Sequence, residues 1–184
     1  MKRVALALLL AVSGCVSTVP ETAYYLLRAE DDVAPTSAAP TIGLGHVTVA
    51  PYLERAGLIL RVEANRMREA SYHLWAEPLD RGVSHYLGAR LSAQLGGALG
   101  RDVAQGSSWE RRVDVRIDEM HGSLAGEARL VAGWSIIEVA TGKSTASHRL
   151  VSTLRQERDG YAGLVEAEMV LLDRLAGEIA RTLQ

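Results

Sequence analysis

RRVDVRIDEMHG, residues 111–122, alternates apolar and charged side chains. Val113, Val115 and Ile117 fall on one face; Asp114, Arg116 and Asp118 fall on the other. A period of two residues is the mark of a strand with one buried and one wet face. Residues 128–139 form a longer apolar run. Gly142, in the turn ATGK, leads to a third run at 144–155, with Leu150, Ser152 and Leu154 on one parity. The two links are short, so the three strands should form an antiparallel meander.

Two helices flank this meander in chain order. Tyr161, Val165, Leu172, Leu175, Ile179 and Leu183 recur at helical spacing, and Asp159 can cap a helix over 161–183. Glu168 falls near the apolar stripe and is expected at its edge. Val83, Leu87, Leu91, Leu95 and Ala98 give a second helix, with Asp80 as its N-cap, Pro78 just ahead, and Gly96, Gly97 and Gly100 marking its end. Four short strands precede it, at 24–28, 42–50, 58–62 and 72–75. The polar stretch EANRMREAS separates the last two as a hairpin loop. The phase of IGLGHVTVA shifts near Gly45, which a bulge would reconcile. The expected order is β-β-β-β-α-β-β-β-α. That is an α+β fold, a mixed/antiparallel sheet with two helices packed on one face.

The first residues are of another kind. Lys2 and Arg3 precede nine apolar residues, then Ser13, Gly14 and the chain's single cysteine, Cys15. A charged start, a short apolar run and small residues describe a secretory signal. The run falls short of the roughly 20 residues that span a bilayer. Val12-Ser13-Gly14-Cys15 resembles a bacterial lipobox, in which the thiol takes a diacylglycerol and the chain is cut before the cysteine. An ordinary signal peptide with a chance cysteine is the alternative. The expected division is signal peptide 1–14, lipid-anchored tether 15–23 and a single domain over 24–184. Acyl chains (palmitate among them) would hold the cysteine at a membrane. The absence of Asp after Cys15 favours the outer membrane, with the domain on its periplasmic face.

Charge narrows the partners. Removing Lys2 and Arg3 from 20 basic residues against 22 acidic leaves a net charge of −4. No basic block marks a nucleic-acid face. His46, His73, His85, His121 and His148 are scattered, with no pair at helical metal-site spacing. Neither HExxH nor GxSxG occurs. Gly43-Leu44-Gly45 lacks the rest of a nucleotide fingerprint, and Asp114, Asp118 and Glu119 read as a solvated strand face. The expectation is no enzyme, no metal and no cofactor.

Four motifs occur in order: Cys15, Tyr24-Tyr25-Leu26-Leu27, Pro51-Tyr52-Leu53-Glu54-Arg55, and Trp75-Ala76-Glu77-Pro78-Leu79. Together they resemble the ABC-type transport auxiliary lipoproteins, the PqiC (YmbA) family. The resemblance implies a part in lipid traffic between two membranes. The partners it implies are an MCE-domain protein that bridges the periplasm and an ABC transporter with its permease. This chain would dock the bridge at the outer membrane, and a homo-oligomeric ring around the bridge's end is one arrangement it allows.

Tyr52, Arg55, Arg61, Trp75 and Glu77 are the candidate partner-binding residues, since Trp and Arg are enriched at interface hot spots. Tyr52 and Trp75 also have a core reading. Arg55 and Glu77 are placed to pair with each other, and Arg61 is expected to be the exposed member. Two other functions fit the same chain. A lipoprotein that carries a lipid predicts an apolar cavity between sheet and helices. An envelope assembly factor predicts no transport partner.

Overall fold

A computed structural model describes residues 20–29, 41–97, 99–100 and 109–184. The lipobox, Cys15 and the residues before it lie outside these. The strands are β1 (Ala23–Tyr25), β2 (Ile42–Val49), β3 (Gly57–Glu63), β4 (Arg66–Trp75), β5 (Leu99–Gly100), β6 (Arg111–Ser123), β7 (Glu127–Glu138) and β8 (Lys143–Arg155). The described helices are α1 (Leu79–Gln94) and α2 (Gly160–Leu183), with a 3-10 turn at Pro51–Leu53.

The meander is present as expected: β6 pairs antiparallel with β7, and β7 with β8. The other edge of β6 is shared. β2 runs parallel to its first half, from Arg111 to Ile117, and β3 runs parallel to its end, at Gly122 and Ser123. The sheet therefore forks there. β5 lies outside β2, while β4 and then β1 lie outside β3. The mixed sheet of eight strands and two helices is an α+β fold.

Alternation in β6 does what the sequence requires. Val113, Val115 and Ile117 are buried against the helices, and Arg116 is exposed. Leu87, Leu91, Leu130, Leu171, Leu172, Leu175 and Ile179 expose no surface. Each such side chain contributes about 1.5–3 kcal/mol of burial. The helices are joined through Asp173, which accepts from Tyr86 Oη at 2.9 Å and from Arg90 Nε at 2.6 Å. Burial and the Asp173 carboxylate push the Tyr86 hydroxyl well above its ordinary pKa. The β2 register shifts between Leu44 and Val47, where the bulge was expected. A Cβ on Gly45 would lie 2.3 Å from Asp114 Oδ1, so a larger residue in this bulge would have to displace the Asp114 and Arg112 side chains.

Five details differ from the sequence reading. The stretch EANRMREAS is mostly strand: β4 starts at Arg66, and only Ala64 and Asn65 form the turn. Its tip runs past the end of β6, whose last pair with β3 is Ser123 with Arg61. Neither face of the tip is covered, so no apolar alternation is imposed on it. A short β5 follows α1. α1 starts at Leu79 with Pro78 as its N-cap, and Asp80 lies inside the first turn, where it faces the positive end of the helix dipole. Asp159 is the N-cap of α2 but makes no side-chain capping bond.

The fifth difference is Glu168. It is 3% exposed rather than at the edge of the stripe, and its Oε2 has no hydrogen-bond partner among the described residues. Burial pushes its carboxyl up from the ordinary 4.5 to about 8. At neutral pH it is held as the neutral acid, which is how a carboxyl survives in an apolar layer.

Candidate partner-binding site

The segment 50–57 bridges the fork in the sheet. Ala50 N–H donates to Ile117 O at 2.8 Å and extends the β2–β6 ladder by one bond. The chain then turns through Pro51–Leu53, with Leu53 N–H bonded to Ala50 O at 2.8 Å. Leu53 is buried in the core. Tyr52 is half-buried, and its hydroxyl lies against the backbone of Met120, in the stretch of β6 between its β2 and β3 pairs. Burial raises the Tyr52 hydroxyl pKa, and a hydrogen bond from the Met120 backbone opposes it. Beside it Arg129 Nε donates to Glu119 Oε2 at 2.7 Å, which holds that carboxyl below its ordinary value. His121, buried, donates from Nδ1 to Gly122 O at 3.0 Å, with Nε2 3.4 Å from Glu119.

The second motif makes the corner between β4 and α1. Trp75 is 9% exposed and its backbone N–H donates to Ala56 O at 2.7 Å. Ala76 N–H donates to Tyr25 O at 2.8 Å and ties the corner to β1. Glu77 accepts two bonds from Arg28, at 2.5 and 3.1 Å, and lies 3.7 Å from His85. The Arg28 bond, first among several causes, lowers the Glu77 pKa. The expected pair of Glu77 with Arg55 is therefore not formed. Arg55 reaches Glu69 instead, at 3.5 Å, because Arg28 leaves β1 closer to the corner. Glu69 also accepts from Gly57 N–H at 3.0 Å, and a Cβ at Gly57 would lie 2.4 Å from Ala70 O.

The five candidates are thus not one patch. Trp75 and Glu77 build the corner, Tyr52 spans the fork, and Arg55 is exposed beside β3. Arg61 is half-buried at the base of the hairpin tip, so Arg55 rather than Arg61 is the more exposed of the two.

Pattern reading missed another surface. Tyr24, Leu26 and Tyr72 are exposed at the β1 edge, where Tyr24 pairs with Leu74. The signal was present in Tyr24-Tyr25-Leu26-Leu27. Four consecutive apolar residues in an extended segment cannot all face one side, and Leu27 alone of them is fully buried.

The histidines are spread through the fold. His73 contacts Tyr25 Oη at 2.9 Å and stacks on Tyr161, His148 stacks on Trp134, and the backbone N–H of His46 donates to Asp114 Oδ1. Among the described residues, no three His, Cys, Asp or Glu side chains converge as a metal site would. No described helix is long and apolar enough to cross a membrane. The side chains named above pack together in the layer between sheet and helices. A concavity of about 350 Å³ opens at the end of the sheet, beside the start of α2.

The model of the ABC-type transport auxiliary lipoprotein component matches residues 24–180. The chain belongs to that family. It is 26% identical over 176 residues to the intermembrane transport lipoprotein PqiC of Escherichia coli, covering 94% of this chain and 92% of that one. The crystal structure of an uncharacterized protein superposes with a TM-score of 0.75 at 22% identity, over 90% of this chain and all of the other. A Xanthomonas campestris protein gives 0.65 at 12% identity, over 85% and 92%. These two likenesses establish the fold; the family match establishes a lipoprotein component of a transport system.

Proposed function

We propose that the chain is an auxiliary subunit of an MCE/ABC-type intermembrane lipid transport system. Its signal peptide (1–14) is removed, Cys15 is lipidated, and the tether (15–23) holds the domain at the periplasmic face of the outer membrane. There it docks the periplasm-spanning MCE protein. The observation that carries this is the family match over 24–180 in a chain whose residues 12–15 read Val-Ser-Gly-Cys. The chemistry of the surface supports binding rather than catalysis. Its outward ion pairs are satisfied in place, and its exposed aromatic residues lie at a sheet edge. Arg55, Arg61, Tyr24 and Tyr72 are the side chains we assign to the partner. Tyr52, Trp75 and Glu77 act on binding by fixing the segments that present them.

The test is a detergent pull-down of the tagged full-length protein, with mass spectrometry of proteins and lipids. An MCE-domain protein should be recovered, with the cargo lipid. Recovery of envelope assembly proteins in its place would overturn the transport role.

A further inference from the structure

The N-terminal tether leaves the domain at one particular end. β1 runs parallel to β4, and β4 starts at the hairpin tip, so the N-terminus of β1 points toward that tip. β6 runs parallel to β3, and β6 and β8 are both antiparallel to β7. The turn between β6 and β7, the end of β8 and the start of α2 therefore lie at this same end. Seven residues separate Cys15 from Ala23, so the two are at most about 30 Å apart along an extended chain.

This end carries apolar groups where turns are ordinarily polar. Leu124, in the β6–β7 turn, is 65% exposed, and Met67 is exposed on the hairpin tip. Behind Leu124 lies the 350 Å³ concavity, floored by Leu60, Leu164 and Tyr161, with Arg155 and Asp159 on its rim. Its wall is coupled to the strand that follows the tether. Tyr25 contacts His73, whose ring stacks on Tyr161 with centroids 4.0 Å apart.

We propose that this end is a lipid-facing surface: Leu124 and the concavity behind it take up acyl chains of the phospholipid leaflet in which Cys15 is anchored. The proposal rests on the lipidation of Cys15. Charge supports an apolar contact with zwitterionic lipid rather than adhesion to an anionic one. Arg61, Arg68 and Arg155 have no ion-pair partner among the described residues, but Glu127, Glu157 and Asp159 offset them. The nearby pairs Arg66–Glu63 and Arg158–Glu166 are neutral. The stems of Arg68 and Arg155 can lie along the interface with their heads in water. A contact of this kind is driven by buried apolar area and responds little to salt.

The test uses full-length lipidated protein in phosphatidylcholine and phosphatidylethanolamine liposomes with brominated acyl chains. Lipidation blocks Cys15, so a single introduced cysteine carries an environment-sensitive fluorophore. Leu124→Cys probes this end. Ala140→Cys, exposed in the β7–β8 turn, probes the opposite one, about 40 Å away along the twelve residues of β7. The label at 124 should be quenched several-fold more than that at 140, with little change when salt is raised. Equal quenching in protein that floats with the liposomes would overturn the lipid-facing surface and leave the anchor standing. Quenching abolished by salt would overturn apolar insertion. Protein that fails to float would overturn the anchor, and this proposal with it.

Discussion

The two ends of β4 obey different rules. At its start, Arg66 to Glu69 are exposed, and their ion pairs join groups that are mostly in water. At its finish, Trp75 is in the core and Glu77 is clamped between Arg28 and His85. One end is held by the backbone ladder and water-exposed side-chain bonds; the other is fixed by packing. The most distinctive motif of the sequence, Trp75 to Leu79, thus belongs to the construction of the domain, while the unremarkable polar stretch is the part free to meet other molecules. The sharpest way to break this contrast is to truncate both ends. Trp75→Ala should cost about 3–5 kcal/mol, the usual range for removing a large core aromatic. Met67→Ala should stay within about 0.5 kcal/mol, as surface changes do. Urea denaturation of the Cys15→Ala form measures both, and comparable losses would show that the tip is packed after all.

The same contrast explains what was legible in the sequence. Strands with one buried face print a period of two, so β6, β7 and β8 could be read nearly to their ends. The Gly45 bulge was legible because the phase of β2 changes around it. The tip of β4 was not legible as strand, since no layer covers it and polarity there says nothing about pairing. Nor was the forked sheet, because which strand shares the edge of β6 is a long-range choice. The site was less legible than the fold. Pairing Arg55 with Glu77 treated nearness in the motif as nearness in space, and Arg28 on β1 took that carboxylate instead. Glu168 looked like an edge residue because Glu is rarely buried, yet its position between Val165 and Leu172 put it inward.

Two carboxyls sharpen the comparison next. Glu77 is ionised and clamped; Glu168 is neutral and has an unpaired oxygen. Their effects on stability run in opposite directions with pH. Glu77 has a lowered pKa in the fold, so its contribution is present above the unfolded carboxyl pKa and is lost as pH falls through the folded value. Glu168 has a raised pKa, about 8 against an ordinary 4.5. Below 4.5 both the folded and unfolded chains hold that proton. From there to about 8 the unfolded chain has released it and the folded chain has not, so stability declines as pH rises. Glu168→Leu should therefore stabilise the protein by about 1–3 kcal/mol at pH 8 and change little near pH 4.5. Melting temperatures measured across this range check it. A uniform gain at every pH would mean that Leu acts through packing and that Glu168 is not the titrating group.

The smallest effect on stability should be the most informative about partners. Arg55 is exposed and its pair with Glu69, at 3.5 Å, joins two side chains well reached by water. Such pairs are worth about 0–1 kcal/mol. Arg61 has no ion-pair partner among the described residues. Arg55→Glu and Arg61→Glu should thus leave the urea midpoint of the domain nearly unchanged. At a docking surface the consequence is larger, since a reversed charge repels where the native one attracted and a buried contact then has to carry an unpaired group. Loss of MCE protein from the pull-down with an unchanged midpoint would place the interface on these arginines. If recovery persists in both variants, the arginines lie outside the interface, and the exposed β1 edge, with Tyr24 and Tyr72, is the surface to change. A matched loss of midpoint and recovery would mean instead that the arginines act through the fold, and the distinction between the two ends of β4 would fail at the end where it was drawn most simply.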